Sequence, residues 1–304
     1  MEVLMRNMFQ KLGKSRFANR LAKKYGLRFG ASRFVAGDTI AKAIEKVAQF
    51  NEDGRVVTLD HLGEFVFNEQ EAVESAGMCL RTLDAIAQRG VHSNLSVKMT
   101  SLGLGLSREL CMRNMRMILN RAREYGNFVR IDMEDYPYCQ TSIDIYRELR
   151  GDYDNVGIVL QAYLYRTEQD IEDLKELRAN LRLVKGAYKE PAEVAFPNKK
   201  DVDDNYRRII EQHLLNGNYT AVASHDEAII EHVKSFVKAK EIPGHQFEFQ
   251  MLYGICEDLQ KRLVQEGYKV RVYVPYGIDW FGYFMRRLAE RPANVWFVLK
   301  NMFK

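Results

Sequence analysis

The feature that most constrains this chain is a rhythm. From residue 56 to residue 290, short β-rich runs alternate with segments of helical period. The runs fall at 56–59, 94–97, 128–131, 156–160, 181–184, 221–223, 247–249 and 270–272. The spacing predicts helices near 69–89, 107–125, 141–150, 168–179, 202–215, 226–239 and 257–267, with an eighth at 279–290. Eight βα units at this spacing are what a (β/α)8 TIM barrel requires. A doubly wound open sheet is the competitor, but in its dinucleotide-binding form it carries a GxGxxG turn. The nearest match, Gly103 and Gly105, lacks the third glycine. No Walker loop, HExxH or zinc-knuckle spacing is present.

No Pro/Gly/Ser linker divides the chain. Residues 1–54, with a helix near 38–51, therefore read as a basic helical arm, and 55–304 as the barrel, within a single domain overall. The arm is where the charge lies. Residues 1–28 hold eight Lys/Arg against Glu2 alone, a local +7 in a chain of net +4, so the remainder carries −3. Leu4, Met8 and Leu12, with Met5 and Phe9 beside them, form a helical stripe. Such a basic amphipathic helix lies on an anionic membrane surface, packs its stripe against the protein body, or serves as a transit peptide; the pattern leaves all three open. No apolar run reaches the roughly 18–20 residues that span a bilayer, and no compact secretory signal is evident. Cys79, Cys111, Cys139 and Cys256 lie far apart with no CxxC pair, which reads as reduced thiols in a cytoplasmic protein.

Active sites of barrels sit at the C-terminal ends of the strands. The residues that follow the eight runs are Asp60, Lys98, Asp132, Gln161, Lys185, Ser224 with His225, Gln250 and Tyr273. Every one is polar or ionisable, which favours a polar pocket over a bland barrel mouth. Buried charges there need partners or a ligand. On the last helix, Tyr283, Arg286, Arg287 and Glu290 share one face. Two guanidinium forks beside a phenol suit a small carboxylate; a solvated face with an Arg287–Glu290 pair is the plainer alternative. Lys98 can serve as a buried ion-pair partner of Asp132, and His225 as a cap of the following helix. His232 reads as a surface residue.

At these positions the chain resembles the proline dehydrogenase family, in its monofunctional bacterial form. The motifs are 97–101 (VKMTS), 131–134 (IDME), 160–166 (LQAYLYR), 182–188 (RLVKGAY), 223–226 (ASHD), 247–251 (FEFQM), 272–277 (VYVPYG) and 283–287 (YFMRR). They occur in the family's order and cover nearly the whole barrel. The resemblance implies a distorted (β/α)8 barrel holding FAD noncovalently, with the eighth barrel helix covering the substrate. It implies oxidation of L-proline to Δ1-pyrroline-5-carboxylate, with electrons passed to a membrane quinone. By motif position Arg286 and Arg287 hold the substrate carboxylate, supported by Glu290, while Lys98, Leu252, Tyr273 and Tyr283 line the ring. Asp132, Gln161, Arg166, Lys185, Gly186, Ala187, Ser224 and His225 contact FAD, with Arg166 near the flavin's reactive edge. Lys98, Asp132 and Arg166 are the residues given catalytic roles. A quinone acceptor implies contact with the inner face of the cell membrane, and a separate pyrroline-5-carboxylate dehydrogenase is the implied functional partner. Nucleic acid is not among the expected partners. Thr167 and the residues after it depart from the family, which often has an aromatic shortly after the Arg166 motif.

Two rival readings use the same residues. A Schiff-base barrel would make Lys185 or Lys98 an amine nucleophile. A peripheral membrane scaffold would use the basic leader and the apolar C-terminal residues 296–304.

Overall fold

In a computed structural model of the chain, residues 31–63 and 66–290 are described, with side chains to residue 285. Eight parallel strands close into a barrel in chain order: β1 (Val56–His61), β2 (Ser93–Val97), β3 (Val129–Ile131), β4 (Val156–Gln161), β5 (Leu181–Val184), β6 (Thr220–Ala223), β7 (Phe247–Leu252) and β8 (Val270–Tyr276). Helix α1 (Ile40–Glu52) precedes β1. The strands then alternate with α2 (Glu69–Arg89), α3 (Arg108–Glu124), α4 (Tyr136–Asp152), α5 (Thr167–Asp173), α6 (Lys199–Leu215), α7 (Glu227–Ala239), α8 (Glu257–Gln265) and α9 (Trp280–Glu290). No helix among the described residues is long and apolar enough to cross a membrane.

Strand period explains which side chains face where. Alternate residues point to opposite faces. Val57, Leu59, Leu95, Val97, Val129, Ile131, Ile158, Leu160, Leu181 and Leu183 are buried among the outer helices or against α1. The intervening positions are polar and just as buried: Thr58, Asp60, Asn94, Ser96, Arg130, Arg182, Glu248 and Gln250. Most barrels of this kind fill the lumen with branched aliphatics. Here charge and amide groups fill it, so each must find a partner across the barrel, and those partners define the site.

Local signals set the outer elements. Asn68 caps α2 by accepting from the Glu71 N–H at 2.9 Å, and Ser107 caps α3 by accepting from the Leu110 N–H at 3.3 Å. Helix α1 buries Ala43, Ile44, Val47 and Phe50 against β1 and β8. Helix α9 packs Trp280, Tyr283, Phe284 and Met285 against Phe34, Val35, Leu62 and Ile255. Leu62 follows β1 and Ile255 follows β7, so α9 lies at the C-terminal end of the barrel.

Four strands run further than the sequence predicts, β4 by its last residue, Gln161. β1 continues through Asp60, β7 through Gln250 to Leu252, and β8 through Tyr273 to Tyr276. Those polar groups sit inside strands and point across the lumen, not on loops beyond it.

Candidate active site

Around the C-terminal half of the lumen, six polar side chains from β1, β2, β3, β5 and β8 converge. Lys98 Nζ donates to Asp60 Oδ2 at 2.9 Å and lies 3.6 Å from Asp132 Oδ2. Tyr273 reaches across the barrel and donates its hydroxyl to Asp132 Oδ2 at 2.7 Å. Arg182 donates to Asp132 Oδ1 at 2.7 Å and Ser96 Oγ donates to the same oxygen at 2.9 Å. The Arg182 guanidinium also lies over the Tyr273 ring, 5.2 Å from its centroid.

The electrostatics separate the two carboxylates. Burial pushes Asp132 up, but Arg182, Lys98 and the hydrogen bonds from Tyr273 and Ser96 overcome it and hold the group below the ordinary carboxylate range. Burial pushes Asp60 up as well; Lys98 opposes it, the neighbouring Asp132 charge adds to it, and the net direction is upward. Asp132 is thus the fixed anion of the site and Asp60 the carboxyl that takes a proton more readily. Burial, with the negative charge of Asp132, also pushes the Tyr273 phenol well above its ordinary value, so it stays a donor.

A second group lies around β4 to β6. Lys185 pairs with Asp203 at 2.5 Å and Asp226 at 2.8 Å, and Lys199 also pairs with Asp203. Gly186 has φ +109, and a Cβ there would come within 2.5 Å of the Tyr163 ring. Only glycine fits that conformation and that approach. Gln161 is 3% exposed; its amide donates to the Glu134 carbonyl at 3.3 Å, while Oε1 is buried with no partner among the described residues. Ser224 Oγ accepts from the Asp226 N–H at 3.1 Å.

The sequence-derived residues divide clearly. Lys98, Asp132 and Tyr273 meet in one cluster; Lys185, Gly186, Ala187, Ser224 and Gln161 line the neighbouring strand ends. Leu252 ends β7, and its N–H is accepted by His225 Nε2 at 2.9 Å. That bond corrects the capping alternative for His225: Asp226 caps α7 by accepting from the Ala228 N–H at 3.1 Å. His232 is not simply surface, since it is half-buried and pairs with Glu211 at 2.7 Å. Tyr283 is buried in the α9 cluster. Arg286, Arg287 and Glu290 lie on the backbone of α9, their side chains outside those described.

Arg166 is the position that does not join the others. It stands just before α5, gripping Asp170 in two bonds of 2.8 Å and reaching Gln140, away from the Lys98–Asp132 cluster. The guanidinium that does enter the cluster is Arg182, a residue of β5 with no role in the sequence reading. Its signal was present: a charged residue in the middle of a four-residue strand, flanked by leucines. Ser96 and Asp60 are likewise mid-strand polar groups of β2 and β1.

A closed parallel barrel whose C-terminal mouth gathers a shared carboxylate, a lysine, a phenol and an arginine has the architecture of a barrel enzyme built around an organic ligand. Comparison with known proteins gives the family. The chain belongs to the proline dehydrogenase family, whose profile matches residues 43–300. It is 50% identical over 99% of its length to the whole of proline dehydrogenase 1 from Bacillus subtilis (strain 168). It is 48% identical to proline dehydrogenase of Deinococcus radiodurans across 90% of each chain. Among solved structures, it resembles proline utilization A from Bdellovibrio bacteriovorus inactivated by N-propargylglycine. The TM-score is 0.81 at 28% identity, covering 86% of this chain and 32% of that one.

Proposed function

We propose that this enzyme oxidises L-proline to Δ1-pyrroline-5-carboxylate with noncovalent FAD, and passes the electrons to a membrane quinone. What carries this reading is the convergence of Lys98, Asp132, Tyr273 and Arg182 at the barrel mouth in a chain half identical to proteins named as proline dehydrogenases.

The residues present suit a flavin nucleotide. Lys185 and Lys199 offer cations for a pyrophosphate, and the Gly186 backbone lies where no side chain is tolerated. The unpartnered Gln161 Oε1 offers a buried acceptor for a polar ring edge. When bound, FAD supplies the two-electron acceptor that protein side chains lack. Arg182 is the chain's buried cation best placed to favour a reduced, anionic ring, a role that fits it better than Arg166.

The substrate side falls to the cluster and to α9. Arg286 and Arg287 hold the proline carboxylate with support from Glu290, because a double fork fixes a planar anion more firmly than an ammonium does. Lys98, Leu252, Tyr273 and Tyr283 bound the ring. Oxidation removes a hydride from C5 and leaves the nitrogen lone pair to form the C=N bond, so proline must react as the free amine. Asp60, Lys98 and Asp132 are the charges that bias that proton. The basic residues 1–28 supply contact with an anionic membrane, where a quinone dissolves. The product then passes to a separate pyrroline-5-carboxylate dehydrogenase.

A Schiff-base reaction needs a neutral amine. Lys185 is bound by two carboxylates and Lys98 lies between two, so both amines are engaged in ion pairs rather than presented as nucleophiles.

The test is turnover with a soluble quinone and trapping of the cyclic imine by o-aminobenzaldehyde. L-proline should yield the coloured adduct and D-proline should not. Failure to form adduct with any quinone or dye, in protein containing flavin, would contradict the proposal.

A further inference from the structure

The opposite end of the barrel holds a second charged chamber that the proposed reaction does not use. A cavity of about 370 Å³ opens at the N-terminal mouth, among Asn94, Arg130, Tyr219, Glu248, Lys269 and Arg271. Its charges do not balance: Arg130, Lys269 and Arg271 face the single carboxylate of Glu248. That carboxylate is already committed. Arg271 grips it at 2.6 and 3.1 Å, Lys269 lies 3.2 Å away and the Tyr219 hydroxyl donates to it at 2.8 Å.

Arg130 has no carboxylate of its own among the described residues. It is 2% exposed and donates only to the carbonyls of Ile158 and Asn180 and to the Asn180 amide oxygen, and its Nε has no partner. Gly157 makes room for it, since a Cβ there would collide with the guanidinium. Carbonyl dipoles offset a buried cation only in part. The second observation is Asn94, 8% exposed. Its Oδ1 accepts from Thr58, and among the described residues none accepts from its Nδ2, in a side chain that lines the cavity. A chamber with net positive charge and an amide group on its wall that donates to no described residue is built for a small oxyanion.

We propose that this floor cavity binds a small multivalent oxyanion, phosphate or dicarboxylate, between Lys269, Arg271 and the Asn94 amide, with Arg130 supplying uncompensated charge beneath. The site is separate from the proline cluster, which occupies the other end of the same strands. Lys269 is 44% exposed and forms the outer lip, so an anion can enter from solvent.

Thermal unfolding and titration calorimetry of the flavin-loaded enzyme, with phosphate and malonate in separate arms and chloride at matched ionic strength, test it. A bound anion stabilises the native state by mass action, so the melting temperature should rise and saturate with phosphate, malonate or both, and not with chloride. Whichever anion saturates identifies the source. Lys269→Glu, at the exposed lip, should fold normally, retain proline turnover and weaken anion binding by at least about tenfold. Arg130→Met should abolish binding; if it fails to fold, Asn94→Ser provides the buried test and should also weaken it. Absence of a saturable response to both anions overturns the proposal, as does an equal response in wild type and Lys269→Glu.

Discussion

The two ends of this barrel lumen are made from the same kinds of residue and behave differently. At the floor, Glu248 is surrounded: burial pushes its carboxyl up, but Arg271 and Lys269 with the Tyr219 hydrogen bond overwhelm it and hold it far below the ordinary range. At the mouth the negative charge is shared between Asp60 and Asp132 on either side of Lys98, and only Asp132 is held low. Glu248 therefore stays ionised over any ordinary pH. The mouth cluster keeps one carboxyl that can take a proton and a lysine only partly buried. A buried carboxylate surrounded by cations fixes structure, whereas one left adjustable serves chemistry.

That contrast is exposed to direct attack. The largest effect should come from Glu248→Gln, which strands two cations at the floor and should cost about 3–5 kcal/mol of stability in denaturant unfolding. Turnover of the folded fraction should be unchanged; lost turnover at full stability would break the division between the ends. Arg182→Met should have the opposite profile, slowing proline-dependent flavin reduction by about 10²–10³-fold with a smaller stability loss. Arg166→Met should slow reduction less than about tenfold, because its partner is Asp170 at the rim. The reverse ranking in rapid-mixing experiments would return the flavin-edge role to Arg166.

A third effect lies outside both clusters. His213 is buried against the Ala179 carbonyl, and burial lowers its pKa to about 4 from 6.5. Between those values the unfolded chain binds a proton that the native state refuses, so stability falls as pH drops through that window and levels off below it. The shift corresponds to about 3 kcal/mol, and His213→Gln should flatten this part of the profile of unfolding free energy against pH. The smallest effect expected is Gly186→Ala. The strained φ and the Tyr163 contact should cost about 1–3 kcal/mol and lower the flavin content of purified protein.

Much of this molecule is legible in its sequence. Alternation of strand and helix periods places every strand and the helices between them, because the outer strand faces and the helix stripes are both apolar. Polar residues after the strand runs point to the end of the barrel where Lys98, Asp132 and Tyr273 meet. What the pattern conceals is the inward face of the strands. Tyr273, Gln250 and Asp60 look like strand ends only because polarity interrupts the apolar run, whereas the backbone continues through them. Arg182 is hidden for the same reason: a charge within a strand scores as a local irregularity until its partner Asp132, fifty positions away, is in view. Arg166 shows the converse, since its motif position is conspicuous and its partner is four residues along the chain.

The mouth cluster is proposed to oxidise L-proline through a bound flavin. The most direct measurement is the visible absorption spectrum of the purified protein under anaerobic conditions, before and after L-proline. Flavin bands that bleach with L-proline and persist with D-proline or glycine are the predicted result. Bands that remain oxidised in saturating L-proline, or a colourless protein that FAD cannot reconstitute, would contradict it.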